Sequence, residues 1–287
     1  MITDEQPTYL DMPGRIVVIG DVHGDIKRFM QCLYNAGVFS KDLKWIAQPS
    51  DTVVVQLGDQ IDSLTRSNTT PWEELPDVEM ITLTEKLDAI AKIGGGRLLS
   101  IIGNHEVMNI MHDFTYVSQV SKDKYNLQLR AANFRLKDGM FTKILAKRNL
   151  VLKIGPYLFC HGGLLPHHLD AAENNLYLIN QTFRKHLMGR DMSHNEKELL
   201  VTTLSEQGII WTRAYSSDYE DLETIINEVL QRTSTQAIFV GHCTVPNVTL
   251  VKNKVILTDT GLSRSFGTQK FQYIDIKGNN IQTHEIA

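Results

Sequence analysis

The sequence predicts an α/β sheet protein, and three observations carry that reading. Short apolar, β-branched runs recur at residues 15–20 (RIVVIG), 52–58 (TVVVQLG), 97–103 (RLLSIIG), 157–160 (YLFC), 237–241 (AIFVG) and 254–258 (KVILT). Segments with helical spacing of apolar residues lie between them. Each run leads into Gly, Asp, Asn or His rather than into more apolar sequence. Continuous apolar runs of this length suit strands buried on both faces. Strands alternating with helices build layered sheets.

The helical segments follow in order. Residues 26–36 (IKRFMQCLYNA) place Phe29, Cys32 and Leu33 on one face and stop before Gly37, a C-cap residue. Residues 79–93 end in Gly94-Gly95-Gly96. Residues 126–146 read as one helix with Gly139 as a weak point, and 222–232 (LETIINEVLQR) as another. The polar stretch 170–205 is expected to be helical and to form a cap. No repeat, low-complexity tract or Pro/Gly/Ser-rich linker divides the chain, so a single domain over 1–287 is expected, with insertions over one face.

Of the 287 residues, 42% are hydrophobic and 22% charged, with a formal net charge of −4. That balance argues against a general nucleic-acid or membrane-surface binder. The three cysteines, Cys32, Cys160 and Cys243, make no C-x-x-C pair. They point to a reducing compartment rather than a disulfide framework. The polar, acidic N-terminus has no secretory h-region, and no apolar run approaches the roughly 18 residues of a membrane span. A soluble cytoplasmic protein is expected.

The chemistry sits where the apolar runs end. In Gly20-Asp21-Val22-His23-Gly24, two-residue spacing puts Asp21 and His23 on one side of an extended chain. Carboxylate plus imidazole suits a divalent transition metal. The bland alternative is a surface turn. In Gly58-Asp59-Gln60-Ile61-Asp62, Asp59 is placed to bridge two metals and Asp62 to orient a histidine, or both serve as helix-capping acids. In Gly103-Asn104-His105-Glu106, Asn104 offers an oxygen to a metal and an N–H to a phosphate, and His105 is a proton donor. His161 and His242 each follow a further run. A lone histidine after a strand is more often structural. Five such ends in one chain carry the argument, because sites in open α/β sheets lie at the carboxyl ends of strands.

Arg213, in the sequence IIWTR, could grip phosphate with two N–H donors, or could be a surface arginine beside a buried Trp. Cys160 and Cys243 are read as packing residues, and Met108, Met111 and Met140 as core filler.

The ordered set GDVHG, GDQID, GNHE, HGG and GH resembles the calcineurin-like metallophosphoesterase superfamily, and within it the phosphoprotein phosphatases. The strings GNHEVMN (103–109), YVS (116–118), HGGLLP (161–166) and LTDTGLS (257–263) are similar to the Shewanella-like phosphatase branch. The resemblance spans nearly the whole chain. It implies a sandwich of two mixed β-sheets flanked by helices, with helical insertions over the site. It implies that Asp21, His23 and Asp59 hold one metal, and that Asp59, Asn104, His161 and His242 hold a second. His105 then matches the catalytic histidine, Asp62 its orienting aspartate, and Arg213 a phosphate-contacting arginine. One departure stands out. The family continues its second motif with an arginine directly after the second aspartate, where this chain has Ser63. Arg66, further along the same loop, is the candidate replacement.

The activity implied is metal-dependent phosphomonoester hydrolysis on a phosphoprotein or phosphopeptide, at serine, threonine or tyrosine. Two ions about 3.5–4 Å apart would share an attacking hydroxide while His105 protonates the leaving oxygen. A mixed N/O donor set without thiolate suits manganese, iron or zinc. The rival readings are a nucleotide or dinucleoside polyphosphate hydrolase on the same centre, and a non-catalytic phosphatase-fold binding protein. A nuclease finds no support in the acidic balance or in any basic-aromatic stretch.

Overall fold

The computed structural model describes residues 4–65 and 75–287. Among the described residues, eleven strands form two sheets. The strands are β1 (Tyr9–Leu10), β2 (Ile16–Ile19), β3 (Val53–Gln56), β4 (Arg97–Ser100), β5 (Val151–Ile154), β6 (Tyr157–Cys160), β7 (Ala237–Val240), β8 (Thr249–Val251), β9 (Val255–Leu257), β10 (Phe271–Lys277) and β11 (Asn280–Ile286). One sheet has the order β11-β10-β2-β3-β4 and the other β1-β5-β6-β7-β9-β8. In the first, β2, β3 and β4 run parallel while β10 and β11 are antiparallel. In the second, β6, β7 and β9 run parallel, and β5 and β8 pair antiparallel with β6 and β9. This is the expected α/β sandwich of two mixed sheets. All six expected strands are present.

Helices cover both outer faces. They are α1 (Ile26–Asn35), α2 (Glu79–Ile93), α3 (Asn104–Ile110), α4 (Gln119–Lys124), α5 (Leu127–Phe134), α6 (Met140–Leu145), α7 (Pro166–Ala171), α8 (Leu176–Leu187), α9 (His194–Leu204) and α10 (Leu222–Thr233). None is long and apolar enough to cross a membrane.

Side-chain alternation explains why the strands read as continuous apolar runs. Ile16, Val18, Val53 and Val55 point between the sheets, against Leu152, Phe159, Phe239 and Ile256. Val17, Ile19 and Val54 point outward, onto Phe29 and Leu33 of α1 and Leu87 of α2. On the far face, Leu158 and Ile238 meet Ile179 and Phe183 of α8 and Ile226 of α10. The stretch 170–205, expected as a cap, contributes Leu176, Phe183, Leu187 and Leu199 to this outer core.

Three expectations are corrected. Residues 126–146 form two helices, α5 and α6, not one. Gly139 lies at the break, where a Cβ would meet the Asn133 carbonyl oxygen at 2.4 Å. Met111 and Met140 are not core filler, being 73% and 49% exposed, although Met108 is buried. Cys243 is more than a packing residue, since its Sγ accepts from Arg213 Nη1 (3.4 Å) and Ser216 Oγ (3.1 Å). Cys160 does pack in the outer core.

Candidate metal centre and catalytic site

Asp21 and His23 follow β2, Asp59 to Asp62 follow β3, and Asn104 and His105 open α3 after β4. His161 follows β6 and His242 follows β7. The turns that present them are tight. His23, Asp59, Asp62 and His242 take φ of 42°, 49°, 68° and 65°, in the left-handed region that non-glycine residues seldom adopt. Hydrogen bonds hold them there. The amides of Val22 and His23 donate to the Asp59 carbonyl oxygen (3.0 and 2.9 Å). The Glu106 carboxylate accepts from the amides of Asp59 (3.0 Å), Gln60 (2.8 Å) and Gly103 (2.8 Å), tying the β3 turn to the start of α3. The motif glycines permit close approach. A Cβ on Gly103 would sit 2.2 Å from Asp59 Oδ1, and one on Gly241 2.2 Å from Asp21 Oδ1.

The ring nitrogens of four buried histidines show what the site is built to hold. His23 Nδ1 faces the carbonyl oxygens of Ile61 and Asp62 (both 3.1 Å). His161 Nδ1 faces the Leu57 carbonyl oxygen (2.7 Å), and His242 Nε2 faces that of Trp211 (3.1 Å). A carbonyl oxygen only accepts, so each of these nitrogens carries the proton. His105 Nδ1 meets Asp62 Oδ2 at 2.9 Å. The second nitrogens of His161, His23 and His105 lie near the Asp59 carboxylate. His161 Nε2 lies 3.2 Å from Asp59 Oδ2 and 3.0 Å from Asn104 Oδ1. His23 Nε2 and His105 Nε2 lie 3.9 and 3.8 Å from Asp59 Oδ2. Donor atoms of His23, Asp59 and His105 fall within 4.8 Å of one another, and so do those of Asp59, His161 and His242. Asp59 belongs to both groups. Asp21 lies beside them, accepting the His242 amide at 3.0 Å on Oδ2, with Oδ1 4.0 Å from His161 Nδ1.

The two donor groups thus converge on the Asp59 carboxylate. The electrostatics agree. Burial and then the Asp259 carboxylate push Asp21 well above the usual carboxylate range. Asp59 moves the other way, because the imidazoles of His161, His105 and His23 outweigh its burial. Burial opposes charge on His161 too, yet Asp59 and Asp21 raise it to about 10. Burial and then His161 hold His242 near 3, neutral and ready to ligate. Asp59 and Asp21 thus favour positive charge beside them, which a divalent ion would supply. The residues present therefore fit divalent ions. Tautomer-fixing hydrogen bonds behind each ring are the usual outer layer of such sites.

Behind His105 lies a second network. Asp62 accepts from His105 Nδ1, from Asn109 Nδ2 (3.0 Å on Oδ1, 2.9 Å on Oδ2) and from Arg130 Nη2 (2.8 Å). Sequence reading assigned no role to Asn109, Asp77, Arg130, Glu106 or Asp259. Glu106 and Asn109 lie inside GNHEVMN and Asp259 inside LTDTGLS, so position is the available signal for those three. Arg130 and Asp77 carried none.

Ser63, at the position of the family arginine, is fully buried and donates from Oγ to the Leu75 carbonyl oxygen (2.5 Å). Arg66 lies outside the described residues. Arg213 is exposed and reaches Cys243, next to His242. A cleft of about 690 Å³ opens there, with Arg213, Tyr215, Tyr219, Cys243 and Lys252 among its walls.

Comparison with known proteins agrees with this arrangement. Residues 14–246 match the calcineurin-like phosphoesterase family. The chain belongs to that family. It is 25% identical to Shewanella-like protein phosphatase 2 of Arabidopsis thaliana, over 90% of this chain and 73% of the relative. It is also 25% identical to Shewanella-like protein phosphatase 1 of Plasmodium berghei, over 94% and 73%. The crystal structure of a cold-active protein-tyrosine phosphatase from a psychrophilic Shewanella superposes with a TM-score of 0.79 at 24% identity, covering all of this chain and 84% of that one. A yeast protein serine/threonine phosphatase superposes with a TM-score of 0.60 at 15% identity, over 98% and 84%. As a member of the family the chain is a hydrolytic phosphatase that uses divalent metal ions.

Proposed function

We propose that this phosphatase acts on phosphoproteins, hydrolysing a phosphomonoester of serine, threonine or tyrosine directly, with no phosphoenzyme. The observation that carries the mechanism is a contrast among the histidines. His23, His161 and His242 have a neutral carbonyl behind the ring, whereas His105 has the carboxylate of Asp62. A carboxylate stabilises the imidazolium that a general acid must be before it gives up its proton. His105 is therefore the acid and the other three are ligands.

Asp21, His23 and Asp59 would hold one ion, and Asp59, Asn104, His161 and His242 the other. When bound, two divalent ions supply Lewis-acid charge neutralisation and lower the pKa of water at the site. The N/O donor set favours manganese, iron or zinc. His105 donates from Nε2 to the leaving oxygen while Asp62 holds Nδ1. Asn104, through its amide, and Arg213, from the exposed side of His242, bind the phosphoryl oxygens. The similarity to proteins named as protein phosphatases, and a cleft beside Arg213 large enough for peptide side chains, support a phosphoprotein substrate. Ser63 leaves Arg213 as the phosphate-binding arginine among the described residues.

The test is turnover by manganese-loaded protein on a panel of phosphopeptides and dinucleoside polyphosphates, paired with metal analysis. Phosphopeptides should be preferred. Preference for dinucleoside polyphosphates would overturn the substrate assignment. Failure to hydrolyse even an aryl phosphate with two ions bound would overturn catalysis itself.

A further inference from the structure

Arg130 lies on α5, which belongs to the helical segment between α3 and β5 and contributes no motif residue. It is 1% exposed and cannot touch substrate. All five of its N–H donors are used. Nε donates to Asn109 Oδ1 (2.6 Å). Nη1 donates to Asp77 Oδ1 (2.8 Å) and Ser121 Oγ (3.3 Å). Nη2 donates to Asp62 Oδ1 and Asp77 Oδ2 (both 2.8 Å). Asp77 in turn accepts the backbone amide of Asp62 at 2.8 Å, where Asp62 holds its left-handed φ of 68°. Asn109 completes the ring by donating to Asp62 and to the His105 carbonyl oxygen (2.9 Å).

We infer that Arg130 is a positioning residue for the acid step, acting through Asp62 on His105. This rests on His105 being the acid. The physical reason is the negative charge left unbalanced without it. Two wholly buried carboxylates, Asp62 and Asp77, would face one another with no cation between them. Buried like charges relieve themselves by rotating apart. That rotation removes the acceptor that fixes His105 Nδ1–H, and with it the direction of Nε2. The guanidinium fork makes four different partners converge, which the three donors of a compact ammonium cannot reproduce. The helical segment thereby tunes proton donation, while the metal-binding residues come from the strand ends.

The consequence is graded by leaving group. A poor leaving group needs the acid and a good one does not. Arg130→Met should leave KM within about twofold and metal stoichiometry unchanged. Its kcat on a phosphoserine peptide should fall on the order of 10²-fold, with a loss of only a few-fold on 4-nitrophenyl phosphate. Arg130→Lys should give the same gradient at smaller amplitude. In the His105→Asn background, Arg130→Met should cost no more than about twofold on phosphoserine, since the two act as one unit. Equal losses on both substrates, or the same loss in both backgrounds, overturn the inference and leave Arg130 a structural residue. Failure of both Arg130 variants to show a cooperative thermal transition does the same. If His105→Asn alone shows no leaving-group gradient, the acid assignment itself is wrong.

Discussion

Two buried carboxylate clusters lie side by side in this protein and are compensated in opposite ways. Asp62 and Asp77 close on Arg130, with every donor and acceptor directed at a protein partner. Asp21, Asp59 and Asp259 are buried as deeply, yet among the described residues no lysine or arginine pairs with them. Histidines surround Asp59, each with one nitrogen pinned from behind and the other turned toward it. The first cluster is complete as protein. The second accepts backbone amides and a threonine hydroxyl but, among the described residues, holds no arginine or lysine. Burial alone does not distinguish scaffold from site; the difference here is whether a fixed side-chain cation balances the gathered carboxylates.

The largest effect that follows is at Asp59, the residue common to both donor groups. Asp59→Asn, or chelation of the wild type, should abolish turnover, and metal analysis should show loss of bound ions. Wild type should gain thermal stability on adding manganese, and Asp59→Asn should not, because only a binding-competent native state is stabilised by ligand. Full metal content in Asp59→Asn would remove the distinction between the clusters.

His105→Asn comes next, at the boundary between them. It should lower kcat on phosphoserine by on the order of 10²–10⁴-fold. The loss on phosphotyrosine should be smaller, since a phenolate with a pKa of about 10 leaves more readily than an alkoxide. Equal losses on the two would place His105 among the ligands, where its distance to Asp59 would also allow it to sit.

Asp77→Asn makes the same isosteric change in the closed cluster. It leaves Arg130 half-paired in the interior, which should cost about 3 kcal/mol in urea melts with chelator present. Asp59→Asn under those conditions should cost less, since the imidazoles it faces can give up a proton whereas the Arg130 guanidinium cannot. The reverse order would mean that the site, not the clamp, is the rigid part of the fold.

The same contrast explains what was legible in the sequence. Asp21, His23, Asp59, Asn104, His105, His161 and His242 could be picked out because each directly follows an apolar run and a glycine or strand end. That pattern is local and survives without coordinates. Arg130 could not be picked out. It reaches Asp62 from 68 residues away, and within LQLRAANF an arginine reads as the solvated face of a short helix. Asp77 is likewise defined by its tertiary partners. The strands β10 and β11 offer no continuous apolar run because they mix polar with apolar residues, and Asp275 in β10 is buried in a pair with Arg15 at 2.6 Å. The α5–α6 break needed the Asn133 carbonyl beside Gly139, which sequence spacing does not show.

The smallest effect tests the contrast on a histidine outside the site. His168, at the start of α7, is fully buried, and both of its nitrogens engage backbone groups. The Leu165 amide donates to Nδ1 (2.9 Å), and Nε2 faces the Gln207 carbonyl oxygen (2.9 Å). Such a ring is closed and neutral. Burial, and then the neighbouring His167, lower it to about 3. Below pH 6.5 the unfolded chain takes up a proton that the folded ring refuses, so its contribution is intact above 6.5 and falls as pH drops toward 3. The slope is about 1.4 kcal/mol per pH unit, or about 2 kcal/mol between pH 6.5 and 5. Gln at this position can accept from the Leu165 amide and donate to Gln207, as in a capping box. His168→Gln should therefore match or fall slightly below wild type at pH 7.5 and exceed it at pH 5, with activity at pH 7.5 unchanged. Parallel stability curves for the two proteins across that range would show that His168 ionises as freely folded as unfolded, and that closing both nitrogens does not hold a buried ring neutral here.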